Sequence, residues 1–486
     1  MKYFTIQELC KSKTATDLGI DNTPNEEHIA NMIKLIENLL DPIREMWGNK
    51  IYVNSGYRCK ELNDAVGGVE TSHHCFDEQT EILTVDGWKK YNEINTGDDI
   101  FTYSLTDDCI EIKPINSIIK YHHQGRMMCL ENAHIDVCVT DEHRMLVKYD
   151  THKYKRKGNR NISKKGQEYF DSLKTNNDVF HIEKAKDVYG KRRHYMCASM
   201  LKSNESYSNI DYLKLVIAII ADGTFTYNNG LMNGANFHLK KQRKIIHIEE
   251  LLQKLDYSYT TRIDKEGCTN IWIKGSLLRE AFNMIGRKKE IPCWFKTLNP
   301  VIQKELLFEY SFYDGHHDNR DGCNSFMIST TNKHNFDELQ AMCALSGMRF
   351  SVNFLPEREY SIRGKQGIAK ATYSINIHKS RNTTKVSEWN YKWVDYEGIV
   401  WCANNDNTTV IVRRNGKVSI QGNCRGFAAD ISVRSVSGNK ELFEMIKNSD
   451  LKWTQLISEK TTNKGCKWIH ISYCENNLKN QVLYLR

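Results

Sequence analysis

The chain has 486 residues, 26% charged and 40% apolar, and a formal net charge of +8. That length exceeds what one hydrophobic core serves and argues for two to four domains, and the balance of apolar and charged residues excludes extensive disorder. Fifteen cysteines, an odd number with no CxxC pair, exclude a disulfide framework and a cysteine-rich zinc knuckle and favour a reducing compartment. No apolar run reaches the ~18 residues of a membrane span, and the MKYFTIQELCKSKT start has no signal-peptide core, so synthesis as a soluble cytoplasmic protein is expected. The modest basic charge permits nucleic-acid binding without demanding it.

Thr23-Pro24-Asn25-Glu26 reads as a capping box with proline at the first helical position. It opens a helix with Ile29, Met32, Ile33, Ile36, Leu40 and Ile43 on one face and Gly48 as its stop. KIYVNSGYR then alternates like a strand and gives way to the loop-like ELNDAVGGVETSHH. From Cys75 the texture changes to short β runs such as EILTVDGWKKY and DDIFTYSL, the mark of an all-β domain. Residues 151–166 are strongly basic, a solvated loop or a DNA-contacting arm. Between about 208 and 385 helices alternate with strands, and LKLVIAIIADG, ending at Gly223, is echoed by LLFEYSFYDG, ending at Gly315. Short β runs return beyond 386 up to Gly422-Asn423, and another style begins at Cys424 with CRGFAADISV.

Cys75 opens the insert-like segment, Gly422-Asn423 closes it and Cys424 follows, which supplies the nucleophiles that self-excision needs, since a protein can lower a thiol's pKa. CFDEQTEILTVDGWKKYNEI resembles the opening block of inteins, VCVTDEHRMLV their second block, and TTVIVRRNGKVSIQGNC their closing blocks. The resemblance implies an all-β Hint splicing domain in two pieces, 75–207 and 386–423. Cys75 would attack the carbonyl before it, Cys424 would take over the thioester, and Asn423 would cyclise, without a cofactor. Thr140 and His143 would polarise the His74–Cys75 amide and protonate its leaving nitrogen. Gly422 and Thr408 depart from the pattern, standing where the family usually carries histidines that assist asparagine cyclisation.

The two repeated helix ends resemble LAGLIDADG homing endonucleases, an α+β fold with a pseudo-twofold repeat, here expected over 208–385. The resemblance implies close helix packing at Ala218, Ala221 and Ser311, with Asp222 and Asp314 holding Mg between them and Lys289 as a further catalytic group. It also implies double-stranded DNA as partner, with FHLKKQRK and RKK fitting the contact. The motif's earlier aspartate is Ile220 in one copy and Phe312 in the other.

Joining 1–74 to 424–486 creates SGYR, then SHH-CRGFAADI, then WIH. That composite resembles zinc D-Ala-D-Ala carboxypeptidases and peptidoglycan endopeptidases of phage lysins, an α+β fold split here by the insert. It implies His74, Asp430 and His470 as zinc ligands, Arg58 on the substrate carboxylate or oxyanion, and a peptidoglycan peptide as substrate. Glu459 in QLISEK is the favoured general base; relatives with a different signature carry glutamate three residues before the last histidine, a place held here by Lys467, and His73 rivals His74 only by adjacency. The whole reads as a multidomain, self-splicing, monomeric precursor whose product acts on the cell wall. The rival readings are a DNA endonuclease with a splicing-defective Hint domain, and a non-catalytic wall-binding module after splicing.

Overall fold

The computed structural model describes residues 1–24, 26–59, 62, 65, 75–149, 179–317, 325–362, 365–423, 428–473, 478 and 480–484. By internal contacts the chain divides into two compact units. One comprises 1–75, 402–408 and 423–486, the other 76–401 and 409–422.

The first unit is built from both ends of the sequence. Its five-stranded sheet runs Tyr52–Ser55, Ala428–Ser432, Trp468–Ser472, Gln455–Glu459, Gln481–Tyr484, antiparallel except for the last pair. Phe4, Leu39 and Ile43 from the start of the chain share one core with Ile431, Phe443, Trp453 and Ile471 from its end. Burial of such side chains is the main favourable term in folding, about 1.5–3 kcal/mol each, so neither flank encloses this core alone.

The first long helix begins at Glu26. The Thr23 hydroxyl donates to Asp21 at 2.5 Å, and Pro24 precedes the helix, which corrects the expected start. A π-helical turn at Ile36–Leu40 joins it to the helix Asp41–Trp47, which Gly48 ends at φ +69°. Of the expected face Met32, Ile36, Leu40 and Ile43 are buried and Ile29 and Ile33 partly so, and Leu35 and Leu39 are buried beside them. The side chain of Asp41 accepts from the backbone N–H groups of Lys2, Tyr3 and Phe4, pinning the chain's start to this helix.

A closed barrel is formed by Phe76–Asp77, Tyr391–Asn404, Ser117–Glu131 and Asp136–Val139, all of it in the second unit except residues 402–404. Beside it lies a sheet ordered Lys417–Gly422, Thr409–Arg414, Glu81–Thr84, Asp99–Ser104, Cys109–Pro114, with Gly87–Lys90 paired to Glu81–Thr84. Within the second unit the weak sequence repeat becomes a structural one. The helix Ile210–Ala221 leads into a sheet ordered Gly223–Asn228, Leu231–Leu239, Thr269–Lys274, Tyr259–Ile263, with the helix Gln242–Lys254 after the second strand. The helix Pro300–Asp314 leads into Gly315–His317, Ser325–Thr330, Thr372–His378, Phe350–Leu355, with Lys333–Leu345 in the matching place. The strand order is the same in both halves. Among the described residues no helix is long and apolar enough to cross a membrane.

Candidate functional sites

Thr140 and His143 occupy the tight turn between the strands Asp136–Val139 and Arg144–Tyr149, where the His143 N–H donates to the Thr140 carbonyl at 3.0 Å. Both are buried. Phe76 pairs with Val139 on one side and Trp401 on the other, and its ring meets the His143 ring edge-on at 4.5 Å. A charge cluster that sequence reading missed fixes this corner. Arg414 donates to Asp77 at 2.9 Å and to Asp136 at 2.7 Å, Asn415 Nδ2 donates to Asp136 at 2.9 Å, and Thr80 donates to Asp77 at 2.6 Å. Burial pushes the Asp77 carboxyl above the usual range and the Arg414 charge opposes that push. Its members lie up to 337 residues apart, so no local pattern reveals them.

At the other end, the Asn423 N–H donates to the Thr408 carbonyl at 3.0 Å, one step beyond the Thr409–Gly422 pair, and Asn423 Nδ2 donates to the Ala403 carbonyl at 2.7 Å. These two bonds hold a fully buried carboxamide in one orientation. Thr408 adopts φ +53°. A Cβ on Gly422 would lie 2.6 Å from the Arg144 carbonyl oxygen and 2.7 Å from Arg144 Cβ. Glycine therefore stands there because the neighbouring chain leaves no room for a side chain. Cys75 is buried. His74, His73 and Cys424 lie outside the described residues, as does the basic run 151–166.

In the repeat, Asp222 caps the helix Ile210–Ala221 and Asp314 ends the helix Pro300–Asp314. Of the three small residues expected at the helix contact, Ala218 and Ser311 are buried and Ala221 is partly so. A Cβ on Gly223 would lie 2.7 Å from Ile219 Cα, and one on Gly315 2.3 Å from the Met327 carbonyl oxygen, so both helix exits require glycine. Burial, then the neighbouring Asp222 charge, pushes the Asp314 carboxyl up to about 6. Lys244 forms an ion pair with Asp222, and Lys289 Nζ donates to the Gly223 carbonyl at 2.8 Å, with its own pKa lowered by burial. Two carboxylates under mutual repulsion offer the hard oxygen ligands that Mg takes.

Asp314, Lys288, Lys289 and Lys370 line a cleft of about 840 Å³. Sequence reading missed Lys244 as a site residue because it closes the basic run FHLKKQRK and looks like a surface charge. Arg243 is also committed, donating to the Phe312 carbonyl at 2.9 Å and stacking on that ring at 4.7 Å. Of that run's Lys and Arg residues Lys240, Lys241 and Arg243 are exposed, and Lys244 is partly buried.

In the first unit, Asp430 and His470 sit directly opposite on adjacent antiparallel strands, with His470 Nδ1 and Asp430 Oδ1 2.9 Å apart. The register irregularity at Asn54 brings Ser55 opposite Asp430. Glu459 pairs with Trp468 and Ile457 with His470, so Glu459 shares the His470 face, about 7 Å along the strand. The loop bearing Arg58 is gripped by Asn22, whose Nδ2 donates to the Cys10 and Tyr57 carbonyls at 2.7 and 3.3 Å and whose Oδ1 accepts from the Cys59 N–H at 2.6 Å. A Cβ on Gly56 would lie 2.5 Å from the Leu9 carbonyl oxygen, which explains the glycine of SGYR. An imidazole and a carboxylate on one face are two donors of the kinds zinc takes, and the third protein ligand a catalytic site uses, expected at His74, lies outside the described residues.

Residues 2–95 match the Peptidase M15 family model, so the chain opens with a Peptidase M15 domain; the match continues through Cys75. The chain is 24% identical over 477 residues to the ribonucleoside-diphosphate reductase subunit beta of Aquifex aeolicus (strain VF5), covering 90% of this chain and 64% of that protein. It is 22% identical over 457 residues to the DNA-directed RNA polymerase subunit beta C-terminal section of Stigeoclonium helveticum, covering 78% and 39%. The chain thus spans less than two thirds of the length of either relative. Similar solved structures include a mesophilic variant of the homing endonuclease I-DmoI, at 15% identity and TM-score 0.26 over 35% of this chain and 91% of that one. They also include the AceL NrdHF class 3 split intein, at 7% identity and TM-score 0.24 over 72% and 99%.

Proposed function

We propose that the chain is a self-splicing precursor in which residues 75–423 excise themselves and join 1–74 to 424–486, yielding a zinc peptidase that cuts peptidoglycan peptides. The observation that carries this reading is the single core and single sheet formed by residues from both ends of the chain. Segments joined in one core but separated by an independently packed unit are what an insertion into an existing domain leaves behind.

In this reading the Cys75 thiolate attacks the His74 carbonyl carbon, with His143 protonating the displaced nitrogen and Thr140 holding the carbonyl. Cys424 accepts the acyl group, Asn423 Nδ2 attacks its own carbonyl carbon to cut the last bond, and the amide re-forms at the junction. Asp430 and His470, with His74, would hold the zinc, which supplies Lewis acidity and an activated water when bound. Glu459 would take the water's proton and Arg58 would hold the substrate carboxylate. Asp222 and Asp314 would hold Mg for cleavage of double-stranded DNA, with Lys289 beside the scissile phosphate.

Expression of the full chain followed by intact-mass measurement tests the organisation. The reading expects one species of residues 75–423 and one ligated species of 1–74 with 424–486. The peptidase should be weak before ligation, since the insert separates His74 from Asp430. A Cys75→Ala, Asn423→Ala precursor that cleaved wall peptides as fast as the ligated form overturns that part.

A further inference from the structure

Beyond the three sites, Cys129 and Cys138 face each other across the strands Ser117–Glu131 and Asp136–Val139. Directly opposed residues on antiparallel strands have Cα atoms about 4.5–5.5 Å apart, inside the ~4.4–6.8 Å that a disulfide spans. The two Sγ atoms lie 2.7 Å apart, about 0.7 Å beyond the ~2.04 Å of an S–S bond. Closing the bond therefore requires a movement of about 0.7 Å, shared between the side chains and the strands that carry them, with no change of pairing.

The two thiols are not equivalent. Their shared hydrogen bond makes Cys129 easier to ionise, and the Arg414 guanidinium adds to that effect against the cost of burial. The same bond, together with burial, holds the proton on Cys138. A thiol that ionises readily beside a cation is the one an oxidant attacks first, and a second thiol in contact resolves the product. Burial favours a small oxidant over a bulky disulfide.

We propose that hydrogen peroxide converts Cys129 and Cys138 into a reversible cross-strand disulfide and that this bond slows excision. Cys129 takes one oxygen from peroxide to become a sulfenic acid, releasing water. Cys138 sulfur then attacks that sulfur, the S–S bond forms, and the hydroxyl leaves as a second water with the Cys138 proton. Two thiols and one peroxide thus give one disulfide and two waters, and a dithiol reductant reverses it. The effect on excision rests on the splicing reading above. Cys138 lies two residues before Thr140, and Val139 between them pairs with both Met128 and Phe76. Drawing Cys138 toward Cys129 shifts the strand that presents Thr140, in a centre that tolerates displacements of only about 0.5 Å.

The test has two arms. In the first, the Cys75→Ala, Asn423→Ala precursor is treated with hydrogen peroxide and digested without reduction. A peptide linking residues 129 and 138 is expected, lost on adding dithiothreitol and absent in Cys138→Ser and in Cys129→Ser. Both thiols remaining free, or oxidised without linkage, overturns the site. In the second, wild-type chain is followed by mass during splicing. Peroxide should slow ligated product at least five-fold, dithiothreitol should restore it, and Cys138→Ser should be insensitive. Equal slowing in Cys138→Ser places the damage elsewhere, at Cys75 for example, and overturns the control function. The first arm needs no splicing, so a chain that never splices leaves it decisive.

Discussion

Gly422 is the position where geometry and family habit make opposite forecasts. A Cβ there meets the Arg144 carbonyl oxygen at 2.6 Å and Arg144 Cβ at 2.7 Å, atoms of the main chain and side-chain stem that cannot swing aside. Adding a carbon to a filled interior costs about 1–3 kcal/mol, and the larger histidine costs more. Gly422 precedes Asn423 and pairs with Thr409, so relief of the clash displaces the carboxamide held by Thr408 and Ala403. If the full strain falls on the transition state, Gly422→Ala slows cleavage roughly 5- to 150-fold. The assay is release of residues 424–486 in a Cys75→Ala background, read by intact mass. Melting of the same substitutions in Asn423→Ala separates strain from chemistry. The expected order is glycine, then alanine, then histidine. A Gly422→His chain that cleaved faster than wild type would refute the packing argument and restore the resemblance-based role of histidine.

Asp314 keeps its proton in the folded chain up to about pH 6, whereas the ordinary carboxyl value is 3.8. Unfolding therefore releases a proton between those values, so stability falls as pH climbs from 3.8 to about 6 and stays flat above. Asp314→Asn should raise metal-free stability at pH 8 by on the order of 2–3 kcal/mol, change nothing at pH 3 and abolish DNA cleavage, as denaturant melts and nicking assays would show. Arg414→Met leaves Asp77 and Asp136 buried without their cation, so thermal unfolding should show a loss of about 3–5 kcal/mol. Arg414→Lys should recover only part, because one ammonium cannot fork to two carboxylates. Asp430→Ala in the ligated product should remove bound zinc, measured by elemental analysis, and hydrolysis with it; unchanged zinc content would exclude Asp430 as a ligand.

Much of the architecture is legible locally. The apolar spacing from Ile29 to Ile43 marks a helix, and the paired Asp-Gly helix ends mark a repeat whose two sheets share one strand order. The π-helical turn at Ile36–Leu40 is not legible, because no residue type in IENLL distinguishes it from an ordinary helical turn. Single residues mislead where their partners are distant. Lys244 looks like surface charge until the fold sets it against Asp222, and Arg414 gains its meaning from carboxylates hundreds of residues earlier. Gly422 looks like a missing histidine until Arg144 is seen beside it. Asp430 and His470 were nameable from the rejoined motif, whereas their direct opposition follows from strand register.

The most direct test is an intact-mass time course of the freshly made wild-type chain beside Asn423→Ala. The account predicts that wild type resolves into the 75–423 segment and the ligated flanks, while Asn423→Ala stops at uncut or branched forms. Wild-type chain that stays at full mass under reducing conditions would contradict it.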